Sequence, residues 1–395
     1  MSTILIINPG SSSKKITLYK DDIKLMDTSV EAGADGYNVC TTVKGVQQQC
    51  LPVNRLRFND SLADFLKQAV ESKNLDNLME IKTVALRVIA PGTFFQSHRE
   101  LNAEYLQNLQ ESESLAPLHI SPLLKEISLL KKILPQARLF GLSDTAFHQT
   151  IPDYIRNYSL PTAEAEKYDL YRFGCHGLSV ASVVERLHSV VGVDPARVIV
   201  CHIGSGVSVT AVKGGKSFDT SAGYVPETGL IIGSKAGDLD SGALLALMKK
   251  QHLKPIDTDN YLQTQGGLFG LSGEIDLRLL LERKVKGDLV AIKTLDSFVY
   301  QIKKKIGSFM TGMGGVDLLV FTATAGERSP ALRSMITAEL SDLGIALDTE
   351  KNDLCIGKNG VISQVGSLVK VAVIKSDETS EIMRILKPVK TTVTY

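Results

Sequence analysis

The chain contains an echo of itself. Residues 4–21 read ILIINPGSSSKKITLYKD and residues 198–215 read VIVCHIGSGVSVTAVKGG, a constant offset of 194. Both run through an apolar strand, a polar residue (Asn8, His202), a spacer, a glycine (Gly10, Gly204), a serine (Ser11, Ser205) and a returning strand. Such a hairpin offers the free N–H groups and hydroxyls of its tip to an anion. Two of them one domain apart predict two similar lobes facing each other, each lending a phosphate-gripping loop to a shared cleft. Two unrelated apolar hairpins are the alternative. The 395 residues allow this organisation, since a domain takes roughly 150.

Several classes fall away. Lys and Arg number 44 against 43 Asp and Glu, so no global basic field exists to hold nucleic acid or an anionic membrane, and any anion site must be local. No apolar run reaches the ~18 residues of a membrane span. The opening MSTILIINPG has no basic leader and reads as a first strand, not an export signal. Cys40, Cys50, Cys175, Cys201 and Cys355 are odd in number, scattered and without a CxxC pair. That pattern predicts a reduced, cytoplasmic setting with neither a disulfide framework nor a thiolate zinc site. Gly215-Lys216-Ser217 resembles the end of a Walker A loop, but Thr210 stands where its first glycine belongs. NPGSSSKK has one glycine where a dinucleotide fingerprint needs three. HExxH and GxSxG are absent, so a nucleotide-using transferase would depend on the split cleft.

Apolar spacing predicts strands at 4–7, 16–19, 84–89, 139–142 and 369–374, and helices over 56–69, 101–109, 123–134 and 377–386. Pro152 and Pro161 place a domain boundary near 145–165. Twelve of the 32 glycines fall between Gly174 and Gly242, a density that suits close backbone approach to a bound group, or a β-rich domain with tight hairpins. Asp377, Glu378 and Glu381 at the start of the last helix suit its dipole, while a carboxylate just beyond a core strand could equally bind a metal.

NPGSSSKK at 8–15, SDTAFHQTIP at 143–152, YRFGCHGLS at 171–179, VCHIGSGVSVTAVKGGKSFDTSAG at 200–223 and FTATAGERSP at 321–330, with APLH at 116–119 and LSGEIDLR at 271–278, resemble the acetate kinase family in order and spacing along the whole chain. The resemblance implies an α/β fold of two duplicated actin/Hsp70/sugar-kinase-like (ribonuclease H-like) lobes around a nucleotide cleft. Residues 1–150 with 376–395 would form the N-terminal lobe, and 151–375 the nucleotide-binding and dimerising lobe. It implies reversible, magnesium-dependent phosphoryl transfer between ATP and acetate, giving ADP and acetyl phosphate, by a cytoplasmic homodimer that binds neither nucleic acid nor membrane. Manganese could replace magnesium at an oxygen site.

By the same resemblance, Arg87 would hold the acetate carboxylate, to which a guanidinium fork is matched; an ion pair at a strand edge is its plain alternative. Asp144 would organise the metal or the transferring group, because acetate is already ionised at pH 7 and needs no general base. His176 would donate to phosphoryl oxygens, unless it is a core histidine satisfied by backbone. Asn8 and Glu378 match the metal side, and Lys15 the phosphates. His202, Gly204, Ser205 and Gly206 match the second phosphate loop. Asp276, Leu277 and Arg278 match the adenosine grip, and Thr324, Ala325, Gly326 and Glu327 the glycine loop beneath the nucleotide.

The chain departs from the family's pattern around this cleft. Lys235 in GSKAGD stands where the family has a second catalytic arginine, which keeps the charge and loses the planar fork. Ser205 replaces an asparagine, Thr324 a glycine, Arg328 an asparagine, Val180 a histidine, and Ala90-Pro91 the start of HGGE. These changes predict an active but slower or altered acyl kinase. A propionate or other short-chain acyl kinase, a catalytically weakened nucleotide-binding scaffold and a hydrolytic ATPase are the competing readings.

Overall fold

A computed structural model describes residues 3–9, 13–33, 36–43 and 46–387. Gly10 and Ser11 of the first hairpin, and 388–395 of the expected N-terminal lobe, lie outside the described residues. The chain divides into two compact units, Met1–Ala146 with Glu378–Tyr395, and Phe147–Asp377.

The first unit is built on an eight-stranded sheet. Its strands are β1 (Thr3–Pro9), β2 (Ser13–Lys20), β3 (Ile23–Gly33), β4 (Gly36–Val43), β5 (Val46–Val53), β6 (Ile81–Val88), β7 (Arg99–Glu100) and β8 (Arg138–Ser143). They lie in the order β5-β4-β3-β2-β1-β6-β8-β7. β1 pairs antiparallel with β2 and parallel with β6, and β6 pairs parallel with β8. Leu5, Ile6 and Ile7 are all buried, as expected of a strand covered on both faces, which reads as an unbroken apolar run. Leu5 and Ile7 join Ile16, Leu18, Val84 and Leu86 in one core. The helix Arg55–Glu71 adds Leu62, Phe65, Leu66 and Ala69, and Pro117–Ile133 adds Ile120, Leu123, Ile127 and Leu130, each at helical spacing.

One expectation fails here. Cys40 and Cys50 face each other in the β4–β5 register and form a disulfide, whereas Cys175, Cys201 and Cys355 are free and buried. Ten residues of separation look like scatter in the sequence. Only the hairpin pairing sets the two sulfurs side by side, on the short cross-strand distance of an antiparallel ladder.

The second unit repeats the plan with β9 (Arg197–Ile203), β10 (Val207–Lys213), β11 (Lys216–Thr220), β12 (Leu318–Thr322), β13 (Gly360–Val361) and β14 (Lys370–Val373), ordered β11-β10-β9-β12-β14-β13. β9 pairs antiparallel with β10 and parallel with β12, and β12 pairs parallel with β14. The run β3-β2-β1-β6-β8 of the first sheet therefore recurs as β11-β10-β9-β12-β14. The echo in the sequence is a duplication of topology. The helix Leu289–Met313 buries Leu295, Phe298, Ile302, Ile306, Phe309 and Met313 along one stripe. Asp288 caps its first turn by accepting from the N–H groups of Val290 (2.8 Å) and Ala291 (3.2 Å). Among the described residues no helix is long and apolar enough to cross a membrane.

Candidate functional site

Three adjacent strands of the first unit end in polar residues. Asn8 lies near the end of β1, Arg87 near the end of β6, and Asp144 directly after β8. The parallel register sets Ile7 beside Leu86 and Arg87 beside Leu142, so all three side chains gather at the carboxyl ends of the strands, where open α/β sheets bind ligands. The Asp144 N–H donates to the Val88 carbonyl (2.9 Å), continuing the ladder by one residue and holding its carboxylate in place.

Arg87 is the hub. Its Nη2 donates to Asp144 Oδ2 at 2.6 Å and its Nη1 to Asn8 Oδ1 at 3.1 Å. Nη1 also lies 3.7 Å from Glu378 Oε2, to which the Asn8 amide nitrogen donates. Glu378 opens the helix Glu378–Leu386, which returns to this unit from the far end of the chain. The side chains of Asp144, Arg87 and Glu378 are 0, 11 and 17 % exposed. One guanidinium between two carboxylates leaves an excess of negative charge in a poorly solvated place. The donors there are two carboxylates and an amide oxygen, the hard set that a magnesium ion takes alongside water and phosphate oxygens. Among the described residues no three His, Cys, Asp or Glu side chains group closely enough to hold a metal alone, so an ion here would also draw on ligand oxygens. Lys15 is exposed and directly opposite Asn8 in the β1–β2 register.

A residue that the sequence did not single out supports this end. His98 Nδ1 accepts the N–H of Ser143, the residue before Asp144, at 3.1 Å. Desolvation holds the imidazole below its ordinary pKa of 6.5, against the opposing pull of the Glu381 and Asp144 carboxylates.

In the second unit, the hairpin tip Gly204–Gly206 sits between β9 and β10, closed by the Gly204 N–H donating to the Gly206 carbonyl (2.9 Å). His202 lies at the end of β9, and His176 stands at the head of the helix Gly177–Val184. Their rings stack with centroids 4.1 Å apart and planes 8° apart. Each Nδ1 meets a serine hydroxyl, Ser208 for His176 (2.9 Å) and Ser179 for His202 (2.8 Å). Ser205 is the exposed residue of the tip. A Cβ on Gly206 would come within 2.5 Å of His176 Nε2, so the missing side chain is what lets the tip approach the ring. Behind His176, the buried His148 bridges the Ser217 hydroxyl (2.8 Å) and the carbonyl of Cys175 (2.9 Å). That carbonyl only accepts, so His148 carries its proton on Nε2.

β12 lies beside β9 with Thr322 opposite His202, and it runs straight into the helix Ala323–Arg328. This brings Thr324–Glu327 to the same strand ends as the hairpin tip. Ala323 has φ +64°, a left-handed conformation that costs a non-glycine residue energy and so marks an imposed turn. Thr324 is exposed, Ala325 packs partly against the core, and the Gly326 carbonyl accepts from Arg333 Nη1 (2.9 Å). Glu327 accepts from the backbone N–H of Ser376 (2.9 Å). Asp276 caps the helix Leu277–Val285 by accepting from the Arg278 N–H (2.8 Å), and Arg278 Nη2 donates to its carboxylate at 2.6 Å. That pairing holds the Asp276 carboxyl below its ordinary pKa. Lys235 Nζ donates to Glu227 Oε1 at 3.1 Å.

The two sheets of repeated order make this an α/β protein of the two-lobed actin/Hsp70/sugar-kinase class, with ribonuclease H-like topology. Within that class the chain belongs to the acetokinase family, whose sequence profile matches residues 3–384. It is 35 % identical over 400 residues to the acetate kinase of Bacteroides thetaiotaomicron, covering 97 % of this chain and 99 % of that one. It is 36 % identical over 396 residues to the acetate kinase of Thermotoga maritima, covering 98 % of each. The crystal structure of Porphyromonas gingivalis acetate kinase superimposes with a TM-score of 0.84 at 32 % identity over 98 % of both chains. That of a propionate kinase from Francisella tularensis gives 0.86 at 30 % identity over 97 % of this chain and 98 % of that one.

Proposed function

We propose that this protein transfers the terminal phosphoryl group of ATP to acetate, reversibly, releasing ADP and acetyl phosphate. The observation that carries the reading is Arg87, a partly buried guanidinium at the carboxyl end of a central strand, held by Asp144 and Asn8. An acetate oxygen attacks the terminal phosphorus as the bond to the bridging oxygen of ADP breaks. Both reactants are anions, so the protein's task is to position them and to spread the charge. Arg87 binds the carboxylate and Asp144 aims the guanidinium. No proton has to leave acetate, since it is ionised at neutral pH. His176 donates from Nε2 to a phosphoryl oxygen, with the Ser208 hydroxyl donating to Nδ1 and so holding that tautomer. His202, Gly204, Ser205, Gly206 and Lys15 receive the phosphates. Asp276, Leu277 and Arg278 take the adenosine, and Thr324, Ala325, Gly326 and Glu327 lie beneath it.

A magnesium ion, with manganese as substitute, would be held by Asn8 and Glu378 beside Asp144. When bound it neutralises phosphate charge. The protein works as a cytoplasmic homodimer joined through its second unit.

The acceptor is the least constrained part, because one methylene changes discrimination by only ~1–3 kcal/mol, and relatives of both names superimpose equally well on this chain. Purified protein given magnesium, ATP and acetate, then propionate and butyrate, should form a hydroxylamine-trappable acyl phosphate, with the highest kcat/KM for acetate. A preference for propionate would move the assignment to a propionate kinase. No acyl phosphate from any of the three would remove it. ATP hydrolysis indifferent to carboxylate would make the protein an ATPase.

A further inference from the structure

Lys235 sits on a stiff loop. Ile232 and Lys235 exchange both backbone hydrogen bonds (3.0 and 3.3 Å), making a four-residue turn. Around it, Ser234 Oγ donates to the Gln263 carbonyl (2.9 Å), Ala236 N–H to Leu262 (3.0 Å) and Gly266 N–H to Ser234 (3.0 Å). Gly267, at φ +63°, packs so closely that a Cβ there would come within 1.9 Å of the Ile232 carbonyl oxygen. The loop therefore fixes where the lysine stem begins.

The far end of the stem is fixed by Glu227. The Lys235 ammonium donates to its Oε1 at 3.1 Å, and the side chains are 16 and 8 % exposed, so both charged heads are largely out of water. A buried carboxylate facing an ammonium is held there firmly, because breaking such a pair leaves a charge without compensation.

We infer that Glu227 is a positioning residue for phosphoryl transfer, acting through Lys235. This rests on the phosphotransfer reading above, extended by the resemblance that sets Lys235 where the family has a second catalytic arginine. A lysine ammonium has three donors on a rotating head, whereas an arginine presents its donors in a rigid fork. Anchoring one N–H on Glu227 leaves two donors with set directions. The pair does with two residues what a guanidinium does with one. Without the anchor the ammonium keeps its charge and loses its aim.

The test is a double-mutant cycle of Glu227→Gln and Lys235→Arg, read as acyl phosphate formed from acetate and ATP. Glu227→Gln should lower kcat about tenfold, since a misplaced donor acts on the transition state, while both KM values change by less than about threefold. In the Lys235→Arg background the same change should cost less than about threefold, because the fork brings its own geometry. An equal loss in both backgrounds, or raised KM values with kcat unchanged, overturns the proposal. A rise in kcat overturns it too, since Glu227 would then be withholding the lysine. Glu227→Asp, which keeps the carboxylate, should recover part of the loss. A measurement independent of turnover is acylation of Lys235 by limiting acetic anhydride, read by mass spectrometry. Glu227→Gln should speed it at Lys235 and leave the exposed Lys249 unchanged. Equal labelling with and without Glu227 overturns the pair itself. A wild-type protein that forms no acyl phosphate while Lys235 stays shielded by Glu227 overturns the phosphotransfer reading and Glu227's role in it, leaving the pair as a structural feature.

Discussion

Arg87 neutralises a carboxylate that has no access to water: the Asp144 side chain is 0 % exposed and lies 2.6 Å from the guanidinium. Arg87→Ala should therefore cost stability as well as rate. The unpaired buried charge is worth roughly 3–5 kcal/mol, seen in urea titrations, and the lost electrostatic contact about 10²–10³ in kcat. Arg87→Ala turnover within about tenfold of wild type would contradict Arg87's role. His98 gives a pH signature. Its folded pKa lies below the ordinary 6.5, so the unfolded chain binds more protons as pH falls through that value. Stability is therefore lost as the pH falls through 6.5 and below. His98→Gln keeps an acceptor for the Ser143 N–H and does not titrate, so its stability should fall less over that range, by denaturant midpoints at several pH values. Asn8, Arg87 and Asp144 in the first unit, and His176 and His202 in the second, were named from the resemblance. Ser179, Ser208, His98 and Glu227 were not. Their partners lie 8 to 45 residues away, and nothing in a hydroxyl or an imidazole by itself says what it will touch.

The hairpin tip and the β4–β5 ladder are elements whose predictions concern backbone pairing. Gly206→Ala puts a methyl 2.5 Å from His176 Nε2. The ring or the tip must move, and acyl phosphate formation should fall while the melting temperature changes little. A normal kcat in that variant would show that His176 has no part in the reaction. The Cys40–Cys50 disulfide closes a short loop, worth up to about 2–3 kcal/mol by loop entropy. Denatured protein should yield three reactive thiols without reductant and more with it, and Cys40→Ser with Cys50→Ser should lower the urea midpoint. Unchanged thiol counts would show that the bond does not form. Some strands and helices were readable from apolar period, as in the Leu62, Phe65, Leu66 and Ala69 stripe, whereas β3, β4, β5 and the helix Leu289–Met313 were not predicted. Cross-strand partners were not, because register depends on the turn as well as on the strand pattern.

The whole molecule leaves its first unit at Ala146 and returns to it at Glu378. Ending the chain after Asp377 would remove Glu378, which holds Asn8, together with the buried Ile382 and Met383. Hydrogen exchange by mass spectrometry should then show lost protection in β1 and β6 and retained protection in β9 and β12, with no acyl phosphate formed. Uniform protection across both sheets would show that the last helix adds nothing to the first unit. The duplication lay in the sequence as a repeated pattern of apolar period and glycine placement, and the α/β class and the membership of the acetokinase family lay in the order of its motifs, because these are local properties that survive in a linear string. Tertiary structure alone decided what each charge meets: that Arg87 is bridged by Asp144 and Asn8, that two imidazoles stack, that Cys40 finds Cys50, and that Lys235 is anchored by Glu227. Those pairings depend on strand register and loop closure across 8 to 79 residues, and the energy of a buried charge is set by its neighbours in space.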